Sequence, residues 1–338
     1  MLGFSDVGFS GINLEADADR LQHWLEQQYH GSMSYMQRHG SKRHRPAELV
    51  PETLSVISVR LDYLTDEHDS MNALLDHTSK AYVSRYALGR DYHKLMRKRL
   101  AKLAQALSQE IGDFSYRAFV DSAPVMEKPL ARDAGLGWIG KHTNLLNKNR
   151  GSWFFLGELY TDLPFSPDQS ANDHCGSCTT CMDVCPTRAI VAPYQLDARK
   201  CISYLTIEND GAIPVEFRRA IGNRIYGCDD CQLFCPWNKF AQTSKEPDFK
   251  ARHGLNDAEL LKLFRWTETQ FLERTEGSPI RRIGYRNWQR NIAVALGNAA
   301  TTKILVSTLE AALKTADALL REHVQWALQQ HETTAKKD

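Results

Sequence analysis

Residues 17–31, DADRLQHWLEQQYHG, place Leu21, Trp24 and Leu25 at three- and four-residue intervals behind two acids. That period predicts an amphipathic helix with an acidic start. LSVISVRLDYL at 54–64 has no such period and is rich in β-branched residues, the pattern of a buried strand. YHKLMRKRLAKLAQALSQEIG (92–112) reads as a long amphipathic helix. YRAFVDSAPV (116–125) reads as a strand running into a turn, and SWFFLGELYTDL (152–163) as another strand. This order predicts an α+β fold with a mixed sheet and flanking helices. The tail differs: RNWQRNIAVALGNA, KILVSTLEAALKTA and ADALLREHVQWALQQHE are three apolar-striped helical segments with Gly-Asn or Thr-Ala breaks. Stacked HEAT-type helices or a small helical cap would each explain them.

Composition changes this picture little. The chain has 338 residues, 25% charged and 42% hydrophobic, with a net charge of +1. Those values suit a soluble protein with room for two or three domains and a sizeable core. Near-neutrality leaves nucleic-acid binding to local patches. No run of about 18 apolar residues occurs, and MLGFSDVGFSG lacks the charged start and apolar centre of a signal peptide. The expected location is the cytoplasm, with no membrane association.

Eight cysteines in a reducing compartment are better metal ligands than disulfides. Zinc ribbons also use CxxC pairs, but the spacing here argues otherwise. Cys175, Cys178, Cys181 and Cys185 before Pro186 form C-x2-C-x2-C-x3-C-P, the bacterial ferredoxin run for a 4Fe–4S cluster. The fourth thiol of that run ligates a different cluster, so a second set is required. Cys228, Cys231 and Cys235 before Pro236 repeat the pattern, and Cys201 completes it. Crossed ligation assigns Cys175, Cys178, Cys181 and Cys235 to one cluster, and Cys185, Cys201, Cys228 and Cys231 to the other.

A ferredoxin needs far fewer residues than this chain has. Within VDSAPVMEKPLARDAGLGWIGKHTNLL (120–146), Gly135, Gly137 and Gly140 flank Trp138 and allow the backbone to approach something flat and large. Their G-x-G-x-x-G spacing is a weak dinucleotide signal, since no clean strand precedes it. Asp121, at a strand end, is a candidate general acid; Asp133 and Glu127 compete with it. Three basic clusters, KRHRP (42–46), SRYALGRDYHKLMRKRLAKLA (84–104) and GSPIRRIGYRNWQR (277–290), point to a phosphate-rich partner or to solvated faces.

The combination of SRYALGRDYHK, VDSAPVMEKPLA, AGLGWIGKH, CGSCTTCMDVCPT, CISYLTIE and IYGCDDCQLFCPWN closely resembles the epoxyqueuosine reductases of queuosine biosynthesis. The likeness runs over nearly the whole chain. It implies a nitroreductase-like cobalamin-binding domain (1–165), a ferredoxin-type domain with two 4Fe–4S clusters (166–245) and a HEAT-like helical tRNA-binding region (246–338). It also implies reduction of epoxyqueuosine to queuosine at the wobble position of tRNA, by cob(I)alamin fed with electrons from the clusters. Asp121 matches the family's proton donor, and for that role its pKa is expected to be raised by burial. Arg43, Ser84, Asp91, Tyr92, Asp121, His142, Leu145 and Gly157 fall where relatives contact cobalamin, and Ser203 resembles a tRNA contact. Arg281, Arg282 and Arg286 are expected on phosphates of the anticodon stem-loop. The implied partners are that tRNA and an external electron donor, with the chain a monomer. A reductive dehalogenase or a pure electron carrier are the rival readings; the first usually has an export signal, and the second leaves Asp121 and the Gly-Trp loop without a purpose.

Overall fold

The computed structural model describes residues 2–65 and 68–335. Four strands form its central sheet: β1 (Asp6–Ser10), β2 (Ser55–Asp62), β3 (Tyr116–Phe119) and β4 (Phe154–Thr161), in the spatial order β1-β2-β4-β3. Every neighbouring pair in it is antiparallel, so the sheet is not mixed as its sequence suggests. Parallel pairing occurs instead in a separate short ladder, Tyr82–Val83 against Arg224–Tyr226, which ties the first third of the chain to the cysteine region.

Helix α1 (Glu15–Glu26) ends where Gln28 takes a left-handed backbone with φ 55°. Helix α2 (Tyr92–Ile111) covers one face of the sheet: Met96, Leu100 and Ala104 pack with Ile57, Val59, Leu61, Phe155 and Leu159. Gly157 lets α2 lie close, because a Cβ there would stand 2.8 Å from Met96 Cε. The opposite face is covered by α3 (Glu127–Asp133), whose Leu130 meets Val56 and Tyr160 and whose Ala131 meets Phe154 and Leu156. Alternation along β2 and β4 thus serves two covered faces, since successive side chains point oppositely.

In the cysteine region, α4 (Ile202–Ile207) follows Cys201 directly. The three tail segments form α5 (Gly284–Asn298), α6 (Lys303–Leu313) and α7 (Ala318–Ala335). Their apolar stripes do not close on themselves. Trp288, Ile292 and Val324 share one core with Ile202, Leu205, Ile225, Tyr226 and Val83, so the largest core runs across all three expected segments. Arg290, from the basic stretch at 277–290, is fully buried and donates to the carbonyls of Leu205, Asn209 and Gly211. It is a staple of this core rather than a surface charge. Among the described residues, no helix is long and apolar enough to cross a membrane.

Candidate active site

A cavity of about 1360 Å³ opens at the N-terminal end of α2. Small-ligand pockets measure roughly 300–1,000 Å³, so this one suits something larger. Its floor and walls follow from a few local choices. Asp91 caps α2 by accepting from the His93 backbone N–H at 3.0 Å, which fixes the first turn. Tyr92 then lies flat on Phe155, with ring centroids 3.7 Å apart, and His93 stacks on its other side. Asp121 arrives from the end of β3. Tyr92 donates its hydroxyl to Asp121 Oδ2, and His93 Nε2 stands 2.8 Å from Asp121 Oδ1. The other ring nitrogen, Nδ1, is 2.6 Å from Asp91 Oδ1.

Ionised carboxylates only accept hydrogen bonds, so a ring held between two of them carries both protons. Burial alone would lower the His93 pKa, but the bonds to Asp121 and Asp91 outweigh it and lift the value to about 9. Burial raises the Asp121 carboxyl, and the bonds and charge of His93 with the Tyr92 hydroxyl pull it further down, to below the ordinary carboxylate value. The raised Asp121 pKa expected for a general acid is therefore corrected: the pair does hold a proton, but His93 carries it. His93 was missed in the sequence, although its place two residues after a capping aspartate could have signalled it.

A second group of acids stands behind this network. Glu127 lines the cavity at the start of α3; burial, then the Asp121 charge, push its pKa up to about 8. Glu158 of β4 is fully buried and faces α3; burial, with the charges of Glu127 and Asp121, raises it far above the usual range.

Of the residues expected at cobalamin, Arg43, Asp91, Tyr92, Asp121 and Leu145 line the cavity. Ser84, His142 and Gly157 do not. Ser84 donates to Asp229 at 2.5 Å, Gly157 faces α2, and His142 borders the cysteine cavity described below. Arg281 and Arg282 are on the rim of the large cavity, Arg282 paired with Glu208 at 2.5 Å. Arg286 is not; it pairs with Asp317 at 2.6 Å, away from that rim. Ser203 sits on α4, half-buried and outside the cavity lining. Asp133, the competing acid, is held by Arg132 at 2.8 Å and does not line the cavity either.

The same cavity has features that suit a corrin. Tyr63, Phe154, Phe155 and Leu156 supply apolar wall. Arg43 is 8% exposed, and one guanidinium nitrogen donates to the Tyr35 carbonyl at 3.0 Å. Its buried Nε has no protein partner among the described residues, so a polar donor is left over for a ligand.

The cysteines gather in two sets. Cys175, Cys178, Cys181 and Cys235 line a cavity of about 280 Å³, together with Trp237 and Phe240. Cys178 is the exposed member. Cys201, Cys185, Cys228 and Cys231 form the other set: burial raises the Cys201, Cys228 and Cys231 thiols, and their mutual charges and that of Cys185 add to the effect. Gln232, next to Cys231, lines the large cavity and donates to Ser152 O at 3.0 Å. The second set therefore abuts the site of Asp121.

Known proteins are similar to this chain in sequence and fold. The family profile described as epoxyqueuosine reductase QueG, DUF1730, matches residues 43–122, and that of a 4Fe-4S double cluster binding domain matches 174–238. The epoxyqueuosine reductase of Xanthomonas campestris is 59% identical, covering 97% of this chain and 93% of its own. That of Escherichia coli is 54% identical, covering 97% and 86%. Among solved structures, an epoxyqueuosine reductase from Bacillus subtilis, its catalytic-loop aspartate swung out of the active site, superposes with a TM-score of 0.87 at 29% identity, covering all of this chain and 91% of that one. Another, holding an epoxyqueuosine-modified tRNA-Tyr stem loop, gives 0.79 at 26% identity, over 98% and 96%. With two four-thiol sets, one of them beside the cavity of an Asp–His–Asp network, and relatives matched almost end to end, the chain belongs to the epoxyqueuosine reductase family.

Proposed function

We infer that this chain reduces epoxyqueuosine to queuosine at the wobble position of tRNA, with cobalamin and two 4Fe–4S clusters as its cofactors. The observation that carries the reading is the Asp91–His93–Asp121–Tyr92 network, which faces a cavity of about 1360 Å³ beside one cysteine set. A corrin bound there supplies a low-potential electron pair at its cobalt. Arg43, Asp91, Tyr92 and Leu145 are the residues that would hold it.

The remaining steps belong to the chain. Tyr92 and His93 orient the Asp121 carboxylate through both oxygens. An alkoxide is too basic to leave unassisted near pH 7, so a proton must reach the departing oxygen. Asp121 passes it on, and His93 stores it. The relative whose catalytic-loop aspartate moves out of the site supports a mobile role for the Asp121 loop. A cluster held by the Cys175, Cys178, Cys181 and Cys235 set, with Cys178 exposed, would take up electrons from an external donor, and the Cys201 set, which would hold the other, stands next to the cavity. Crossed ligation holds both clusters, so replacing Cys185 removes iron from the Cys201 set and leaves that at Cys175, Cys178 and Cys181.

The relative solved with a modified stem loop supports an anticodon stem-loop on the rim, held by Arg281 and Arg282 with Ser203 nearby. The chain acts as a cytoplasmic monomer with a nitroreductase-like first domain, a ferredoxin-type second and a HEAT-like third, divided near residues 165 and 245. The test is incubation of reconstituted protein with epoxyqueuosine-containing tRNA and a reductant, with and without cobalamin, followed by nucleoside mass analysis. Queuosine only when cobalamin is present is the expected result. Unchanged epoxyqueuosine in the complete reaction overturns the reading.

A further inference from the structure

Removing an epoxide oxygen to leave an alkene breaks two C–O bonds and forms one C–C π bond. The reaction takes up two electrons and two protons and releases water. The clusters carry the electrons, but the Asp121–His93 pair holds one movable proton. A second must come from somewhere while tRNA and corrin cover the site.

The face of the sheet beneath α3 offers a source. Ser58 and Glu158 are direct partners across β2 and β4, with Phe119 on the other flank of Glu158. Glu158 is 0% exposed, and neither carboxyl oxygen meets a protein donor or cation among the described residues. The Ser58 hydroxyl has no partner there either. An ionised carboxylate so placed would cost several kcal/mol, so the group is a neutral acid. Glu127 opens the helix that packs on this face and reaches the cavity wall beside Asp121, with its Oε2 buried and unpartnered among the described residues. The charged and titratable groups that face these two acids are Asp121, His93, Lys128 and Tyr160. Lys128 turns its ammonium to Asn144 Oδ1 at 3.3 Å rather than to either acid.

We propose that Glu127, buried at the edge of the dry Glu158 face, is a built-in proton store that recharges the Asp121–His93 pair, so that both protons of the deoxygenation come from side chains already in the covered site. This rests on the reading above of what the chain reduces. After Asp121 and His93 give up the first proton, Glu127 protonates the pair and regains its own proton from solvent once product leaves, while Glu158 stays neutral throughout. Each transfer moves one proton between oxygen or nitrogen atoms, and no further reductant is needed. Glu127 acts through Asp121 and is a positioning and storage residue.

The experiment uses the reconstituted holoenzyme and an epoxyqueuosine-bearing stem-loop, at single turnover between pH 6 and 9. Glu127→Gln is expected to slow product formation by about 100-fold, the lower range for loss of an acid–base group, with stem-loop affinity and iron content kept. Wild type should lose rate as pH rises through about 8, where Glu127 deprotonates, and Glu127→Gln should lack that limb. Glu127→Asp should restore part of the rate. Infrared spectra at pH 7 give a readout independent of turnover: a protonated-carboxyl C=O band in wild type, reduced in Glu127→Gln and in Glu158→Gln. Absence of that band in wild type overturns the store, as does a Glu127→Gln enzyme with wild-type rate and pH profile. Failure of wild type itself to make queuosine, with the band present, counts against the substrate reading and leaves the store standing.

Discussion

The two faces of the central sheet are equally buried and chemically opposite. Under α2, Ile57, Val59, Leu61 and Leu159 belong to an apolar core that holds the fold together, and Phe155, beneath Tyr92, is the member of that group that reaches the cavity. Under α3, the alternate residues of the same two strands include Ser58, Arg60, Glu158 and Tyr160, all buried. Polar burial is expensive unless compensated, so a strand that carries it on one face alone marks where chemistry is placed. The comparison also separates two kinds of mutation: those that lower stability and leave the reaction, and those that do the reverse.

The largest effect is expected at the reacting end of the polar side. Asp121→Asn should lower the rate about 100- to 10,000-fold, with cofactor content unchanged, as single-turnover product analysis would measure. Asp133→Asn is the control and should react normally, because that carboxylate only pairs with Arg132. A silent Asp121→Asn would remove the polar face from the mechanism.

On the apolar side, Leu159→Ala should cost about 2–5 kcal/mol of stability in anaerobic urea unfolding, while the rate per folded molecule stays. A slowed reaction at full stability would break the contrast between the faces.

Glu158→Gln sharpens it through pH. A carboxyl raised in the folded state binds a proton that the unfolded chain has released, so wild-type stability falls as pH climbs above the unfolded carboxyl pKa. One such proton gives a slope of about 1.4 kcal/mol per pH unit. Glu158→Gln should therefore gain on wild type steadily from pH 5 to 8. His93 has the same sign over a different window: its contribution is complete below the unfolded histidine pKa and is lost as pH rises through about 9. Parallel stability curves for Glu158→Gln and wild type would mean that Glu158 is not a neutral buried acid.

The smallest expected effect is on the rim. Arg281→Ala and Arg282→Ala should each reduce the salt slope of stem-loop binding by about 1. Arg286→Ala should leave it unchanged, since that side chain lies away from the cavity rim. Equal effects at all three would restore the single basic patch suggested by the sequence.

Local patterns of the chain carried much of this. Strand β2, helix α2 and the three tail helices lie where their apolar periods put them, because amphipathicity is encoded within a few residues. Cysteine spacing alone announced two clusters, since a thiol one turn beyond three close neighbours has to serve another site. Other features needed the folded chain. Ser84 and Gly157 fall where the resemblance implies cobalamin contacts, yet Asp229 takes the hydroxyl of one and α2 packs on the other. Arg290 looks like its basic neighbours in sequence and is a core staple in space. His93 is cationic only because two carboxylates converge on it, Asp91 from its own helix cap and Asp121 from a strand 28 residues on. Glu158 is neutral only because β2, β3 and α3 together exclude water from it. Residue identity and short-range period determine which elements form; desolvation and the meeting of distant charges set protonation, and these exist only once the chain has folded.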